Sequence, residues 1–142
     1  MINNMWTCPR CNRKFLNTHQ VHSCLDKNLD DFLRGKTPHT TELFHWFIKE
    51  YQAMGDISVH PTKSMIVIVS TTRLAYIIQL GKIYMDVVFP FKEPYIDNYC
   101  FVKIKQVPGT NDYNHHFRMC FKEDINEEVK FYMNLTLRRA LS

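Results

Sequence analysis

Residues Met65 to Phe89 read M-I-V-I-V-S-T-T-R-L-A-Y-I-I-Q-L-G-K-I-Y-M-D-V-V-F, and they decide the fold. Met65 to Ser70 is β-branched and almost continuously apolar, as expected of a strand at the centre of a sheet or covered on both faces. Arg73 to Leu80 and Lys82 to Phe89 are two further extended runs hinged at Gly81, and together they read as a hairpin. No helical period interrupts the three runs, so the sheet they form is antiparallel.

Working outward, Ile57 to His60 is a short strand candidate ahead of Pro61. On the other side, Pro90 and Pro94 break the pattern and open a loop through Asn98. Tyr99 to Val107 then alternates, with Lys103 and Lys105 on one face that should meet solvent, and Tyr113 to Phe121 returns after the turn cluster P-G-T-N-D. Thr37-Pro38 is a helix start, with Thr as cap and Pro where a missing N–H does no harm. From there to Met54, Leu43, Phe44, Phe47, Ile48, Tyr51 and Met54 recur at threes and fours, and Gly55 ends the helix. Trp46 falls off this stripe and could pack against the N-terminal segment. A last helix is expected from Ile125 to Leu141, opened by Asp124 with Glu127 and closed by Arg138 and Arg139, which favour the negative end of its dipole. The expected fold is α+β: an antiparallel sheet of four to five strands with both helices on one face.

At 142 residues the chain can hold one ordinary domain and a small appendage. High aromatic content beside plentiful charge is the profile of a folded chain. No stretch approaches the ~18 apolar residues of a membrane span and no secretory leader pattern is present, so a cytoplasmic protein is expected. Cys100 and Cys120, alone inside strand-like runs, are expected to be buried thiols.

The appendage is residues 1–26, a knuckle joined to the α+β domain of residues 27–142 by a short helix over 27–35 that Gly35 stops. Its core is Cys8 to Cys24, C-P-R-C-N-R-K-F-L-N-T-H-Q-V-H-S-C. Two thiolates in a C-P-x-C turn, a third thiolate and an imidazole supply the four soft and borderline ligands that Zn²⁺ takes in tetrahedral sites. Cys8, Cys11 and Cys24 are fixed members of this set, and the imidazole is His22 or His19. Val21 and the flanking Met5, Trp6 and Phe15 can cover a metal held by His22. Four protein ligands close the site, so the zinc is structural, and its binding supplies the segment's folding energy, on the order of 10 kcal/mol.

The combination W-T-C-P-R-C-N-R-K-F with V-H-S-C, T-K-S-M-I-V-I-V at Thr62 to Val69, and Y-N-H-H-F-R at Tyr113 to Arg118 followed by D-I-N-E-E-V resembles the bacterial family catalogued as domain of unknown function 5655. The resemblance covers nearly the whole chain. It implies a cysteine-histidine segment ending in Q-x-H-S-C, matched by Gln20, His22, Ser23 and Cys24, which selects His22. Asn12 stands where such turns usually have Gly. The resemblance implies no defined activity.

The formal net charge is +4, and residues 1–36 carry six Lys or Arg against three Asp. Arg10, Arg13 and Lys14 flank the thiolate turn and could touch phosphates. Tyr76, Tyr84, Tyr99 and Phe101, interleaved with Lys82, Lys103 and Lys105, are residue types that stack on bases. On one strand, His116 and Arg118 share a side, while His115 turns the other way with Phe117. With Lys63 they form a candidate anion site for a phosphate or carboxylate. No nucleophile, base and orienting acid occur together, and the chain has no phosphate-cradling glycine loop. The sequence reads as a non-enzymatic zinc-binding protein that engages nucleic acid or a nucleic-acid-processing partner. The alternative is a small-molecule or anion-binding module, with a possible enzymatic activity, built on the Lys63, His116 and Arg118 face.

Overall fold

The computed structural model describes Trp6–Thr7, Lys14–Phe15 and residues 28–141. Trp6–Thr7 (β1) and Lys14–Phe15 (β2) pair antiparallel, Trp6 opposite Phe15. The remaining order is α1 (Leu29–Leu33), α2 (Pro38–Met54), β3 (Ser58–Pro61), β4 (Ile66–Val69), β5 (Arg73–Leu80), β6 (Met85–Phe91), β7 (Phe101–Gln106), β8 (Tyr113–Met119), a 3₁₀ turn (Lys122–Asp124) and α3 (Glu127–Leu141). Strands β3 to β8 form one open antiparallel sheet in the order β3-β4-β5-β6-β8-β7. The α+β class is as expected, and the sheet has six strands rather than four to five. The short run before Pro61 is a genuine strand because it lies at an edge, where a proline removes no ladder bond. No described helix is long and apolar enough to cross a membrane.

Caps set the helices. Thr37 accepts the Thr40 N–H at the start of α2, and Asn28 and Asp31 close a reciprocal capping box on α1. Gly35 beyond α1 has φ +75°, the left-handed conformation expected of a stop signal. The α3 start differs from the expectation. Asn126, not Asp124, accepts the Val129 N–H at 3.0 Å, while Asp124 is turned back to the N–H groups of Cys120 and Phe121.

Strand β6 runs through Pro90 to Phe91, where a break was expected. Beyond Val88 it pairs with β8 alone, so the proline forfeits no bond to β5. Its residues Met85, Val87, Phe89 and Phe91 face α2 and α3 and are buried. Phe47 of α2 lies 6.4 Å from Phe89, and Tyr132 of α3 lies 6.0 Å from Phe91, so both helices cover the same sheet face. The two helices meet through the Tyr51 hydroxyl and Thr136 Oγ1, 2.6 Å apart and buried. Thr136 spends its own hydrogen on the Met133 carbonyl, so Tyr51 donates. In this apolar setting burial raises the Tyr51 pKa and keeps the phenol protonated.

Gly81 closes the β5–β6 turn by donating to the Tyr84 carbonyl. A β-carbon there would lie 2.3 Å from the Tyr84 ring. The β5–β6 turn also receives the α2 start, since Thr40 Oγ1 donates to the Gly81 carbonyl at 2.5 Å and Thr37 Oγ1 to that of Lys82 at 2.6 Å.

Phe47→Ala should cost about 3–5 kcal/mol in urea unfolding, as a large side chain leaves a cavity. Tyr51→Phe should cost about 0.5–1.5 kcal/mol, because Thr136 retains its bond to Met133.

Candidate functional site

Opposite the helices, the sheet carries no covering element among the described residues, and its register builds a line of side chains across all six strands. The ladders place His60 opposite Val67, Val67 opposite Tyr76, Tyr76 opposite Val88, Val88 opposite His116, and His116 opposite Lys103. Cross-strand partners share a face, so the six project from one side. One step along the strands, Lys105 stands opposite Asn114, and Asn114 opposite Pro90. A concavity of about 700 Å³ opens over this face, lined by Tyr76, Ile78, Val88, Pro90, Asn114 and His116, with Arg73, Lys92, Asp112 and Arg139 at its lip. Val88 is only 4% exposed although no described helix covers it, so it forms the floor.

Charge on the face is unbalanced. Arg73, Lys92, Lys103, Lys105, Arg118 and Arg139 line the concavity or project from the same strands, against Asp86 and Asp112. Asp112 pairs with Lys92, and Asp86 accepts two bonds from Arg118, at 2.8 and 3.0 Å. The Arg118 guanidinium also stacks 4.1 Å from the Tyr84 ring centre. A guanidinium forked onto a carboxylate and laid on a ring has its charge largely answered. Arg139 donates to the carbonyls of Pro90 and Arg73, tying the end of α3 to the concavity's lip. Lys103 and Lys105 form no ion pair among the described residues.

The two histidines divide as the alternation predicts. His115 is fully buried on the helix side with Phe117, whereas His116 is half-buried on the open side and Arg118 exposed. His115 Nδ1 donates to the Tyr113 carbonyl at 2.9 Å, and its Nε2 accepts the Tyr95 N–H at 3.0 Å. That second bond anchors the loop between β6 and β7 and requires a neutral ring. Burial is the main cause of a lowered His115 pKa. The His116 pKa is also lowered, first by burial and then by Lys103, with Lys105 and His115 adding to this and Asp86 opposing it.

Lys63 sits exposed in the β3–β4 turn, outside the concavity's lining. Three strand spacings, about 14 Å, separate β4 from the strand that carries His116 and Arg118. The structure therefore brings His116 and Arg118 to one face and leaves Lys63 apart from them. Of the aromatic candidates, Tyr76 lies on the open face and Tyr84 packs on Arg118. Tyr99 is wholly exposed in the β6–β7 loop, and Phe101 turns inward against Tyr132 at 4.7 Å. Val88, Ile78 and Pro90 were not singled out from the sequence; the signal was the extra apolar residues on β5 and β6 beyond those one buried face needs. Cys100 and Cys120 are half-buried, where burial was expected. Burial, then Glu128, pushes the Cys100 thiol up to about 12.

The expected zinc ligands Cys8, Cys11, His19, His22 and Cys24, with Arg10 and Arg13, lie outside the described residues, and of Lys14 only its place in β2 is described. Trp46, expected to touch that segment, has Lys49 and Lys122 ammonium groups 5.6 and 5.3 Å from its ring centre. Among the described residues no group of three or more His, Cys, Asp or Glu is placed to hold a metal ion. Comparison of the chain with protein-family models, with curated proteins and with solved structures finds no match.

Both histidines have folded pKa values below their ordinary 6.5, so the unfolded chain binds more protons in the interval between. The stability they contribute is complete above pH ~6.5 and is lost as pH falls through the lowered values. Urea midpoints between pH 7.5 and 5 should decline. His115→Asn, weaker at pH 7.5, should decline less over the same interval.

Proposed function

We propose that this chain is a non-enzymatic nucleic-acid-binding protein whose sheet face opposite α2 and α3 is the contact surface, carried in front by a zinc-stabilised knuckle. The observation that carries the reading is the charge on that face: six cationic side chains against two carboxylates, both of which are already paired. A polyanion that releases counterions on binding is the ligand such a surface attracts. Arg118 keeps Asp86 neutralised, and Lys103 and Lys105 are left to meet phosphate.

In the knuckle, Cys8, Cys11, His22 and Cys24 would hold one Zn²⁺, with His19 as the alternate imidazole. The metal would order a segment too small for a core of its own, and Arg10, Arg13 and Lys14 would add a second basic surface. The residue types and spacing support this, and Cys8 and Cys11 fall in the stretch that joins β1 to β2. Membership of the domain of unknown function 5655 family belongs to the same proposal. So does residence in the cytoplasm, where thiolates stay reduced.

Labelled oligonucleotide should bind the full chain at low salt and dissociate as salt rises. Lys103→Ala with Lys105→Ala should lower the log–log salt slope by about 1.4, and Arg10, Arg13 and Lys14 to Ala together by about 2, at about 0.7 per single-strand phosphate. Absence of binding at low salt would sink the reading. Metal analysis of the purified chain should find one zinc, lost in Cys8→Ser while the six-stranded sheet and its helices stay folded; a metal-free wild type would remove the knuckle.

A further inference from the structure

Resting on that reading, we infer that the open face holds single-stranded nucleic acid laid across the strands, with one unpaired base seated over Val88 between Tyr76 and His116. The first support is the floor. A surface that bound only the phosphate backbone of a duplex would need cations and no apolar depression. Here Val88, Ile78 and Pro90 make an apolar bed inside a concavity of about 700 Å³. Paired bases in a duplex keep their flat faces stacked on one another, so only unpaired bases can offer a face to such a bed.

The second support is spacing. Tyr76 on β5 and His116 on β8 flank Val88 on β6 in one transverse row, so their β-carbons stand about two strand spacings apart, roughly 9.5 Å. Two flat side chains at that separation leave a slot for one further ring between them. His116 suits this place as a neutral imidazole, because Lys103 and Lys105 beside it already carry the positive charge. Asn114, one step along the strand, presents both an amide donor and an acceptor at the slot's margin.

The third support is where the cations stand. Lys103 ends the row on β7 and Lys105 follows one step along, just beyond the concavity's lining, while Arg73 on the β5 side and Lys92, paired with Asp112 at the Lys105 end of the strands, belong to that lining. They rim the apolar bed rather than occupy it, the layout that tracks a phosphate backbone while bases point inward. The row spans six strands, about 24 Å. That length takes about four nucleotides, the lower end of the range for compact single-strand modules.

Fluorescence anisotropy of the full chain with a labelled 12-nucleotide single strand, the same sequence as a duplex, and a mononucleotide tests this. The single strand should bind at least tenfold more tightly than the duplex, and the mononucleotide weakly. Tyr76→Ala should weaken single-strand binding about tenfold, whereas Tyr76→Phe, which keeps the ring, should not, with circular dichroism melts confirming that both variants fold. Equal affinity for duplex and single strand would overturn the inference, as would an unaffected Tyr76→Ala beside a weakened Lys103→Ala; either result leaves the broader reading standing. A mononucleotide bound as tightly as the oligomer would replace the inference with a nucleotide pocket. Failure of every nucleic acid to bind would remove the broader reading as well.

Discussion

The register between β6 and β8 runs from Met85 opposite Met119 to Phe91 opposite Tyr113 without a slip, and the rest of the molecule depends on it. Side chains on a strand alternate faces, so this one alignment decides which of 14 residues lie under the helices and which meet the open side. A one-residue slip of β8 against β6 would turn His116 and Arg118 beneath α2 and α3 and expose His115 and Phe117, and the same slip of β6 would bury Asp86 and expose Phe89. The cost of burying those charges is what holds the alignment in place. The neighbouring strands inherit the assignment. The bulge in β5 between Ile77 and Gln79 and that in β7 between Phe101 and Lys103 adjust them to it.

Polar groups on the covered side are few, and among the described residues the buried indole N–H of Trp46 is left without a hydrogen-bond partner while His115, Tyr51 and Thr136 are answered. His115 is satisfied by a carbonyl of its own strand and by a loop N–H; Tyr51 and Thr136 satisfy each other and the Met133 carbonyl. The His115 ring is enclosed by Phe91, Tyr95 and Phe101, with centres 5.0 to 5.6 Å away. The loop of residues 92–100 is thus held from within, by an acceptor that exists only while the ring is uncharged. This arrangement frees the outward side of β8 to carry Asn114, His116 and Arg118 with no structural duty on the core.

Much of this was legible in the sequence because the signals are local. The α2 stripe, the Thr37-Pro38 start, the Gly81 hinge and the opposite facing of His115 and His116 each follow from residues within a few positions of one another. What was not legible depends on partners far apart in the chain. Nothing near Arg118 announces that Asp86, 32 residues away, will fork onto it, which changes the residue from a candidate anion ligand into half of a pair. The joining of Tyr76, Val88, His116 and Lys103 in one row needs the order β5-β6-β8-β7, in which β7 lies outside β8. Pro90 misled for a related reason: whether a proline ends a strand depends on which neighbour it would have bonded.

The bulge in β7 has a consequence for how copies of the chain meet one another. An open sheet ends in two strands whose outer backbone groups could recruit a further strand, the route by which such folds aggregate. On β3 the outermost position is taken by Pro61. On β7 the irregularity at Val102 throws that side chain outward, 67% exposed, and interrupts the even spacing a docking strand would have to match. Lys103 and Lys105 then bring like charge against any second copy approaching in the same way. The strand that rims the concavity with cations is thereby also the one that keeps the sheet from growing.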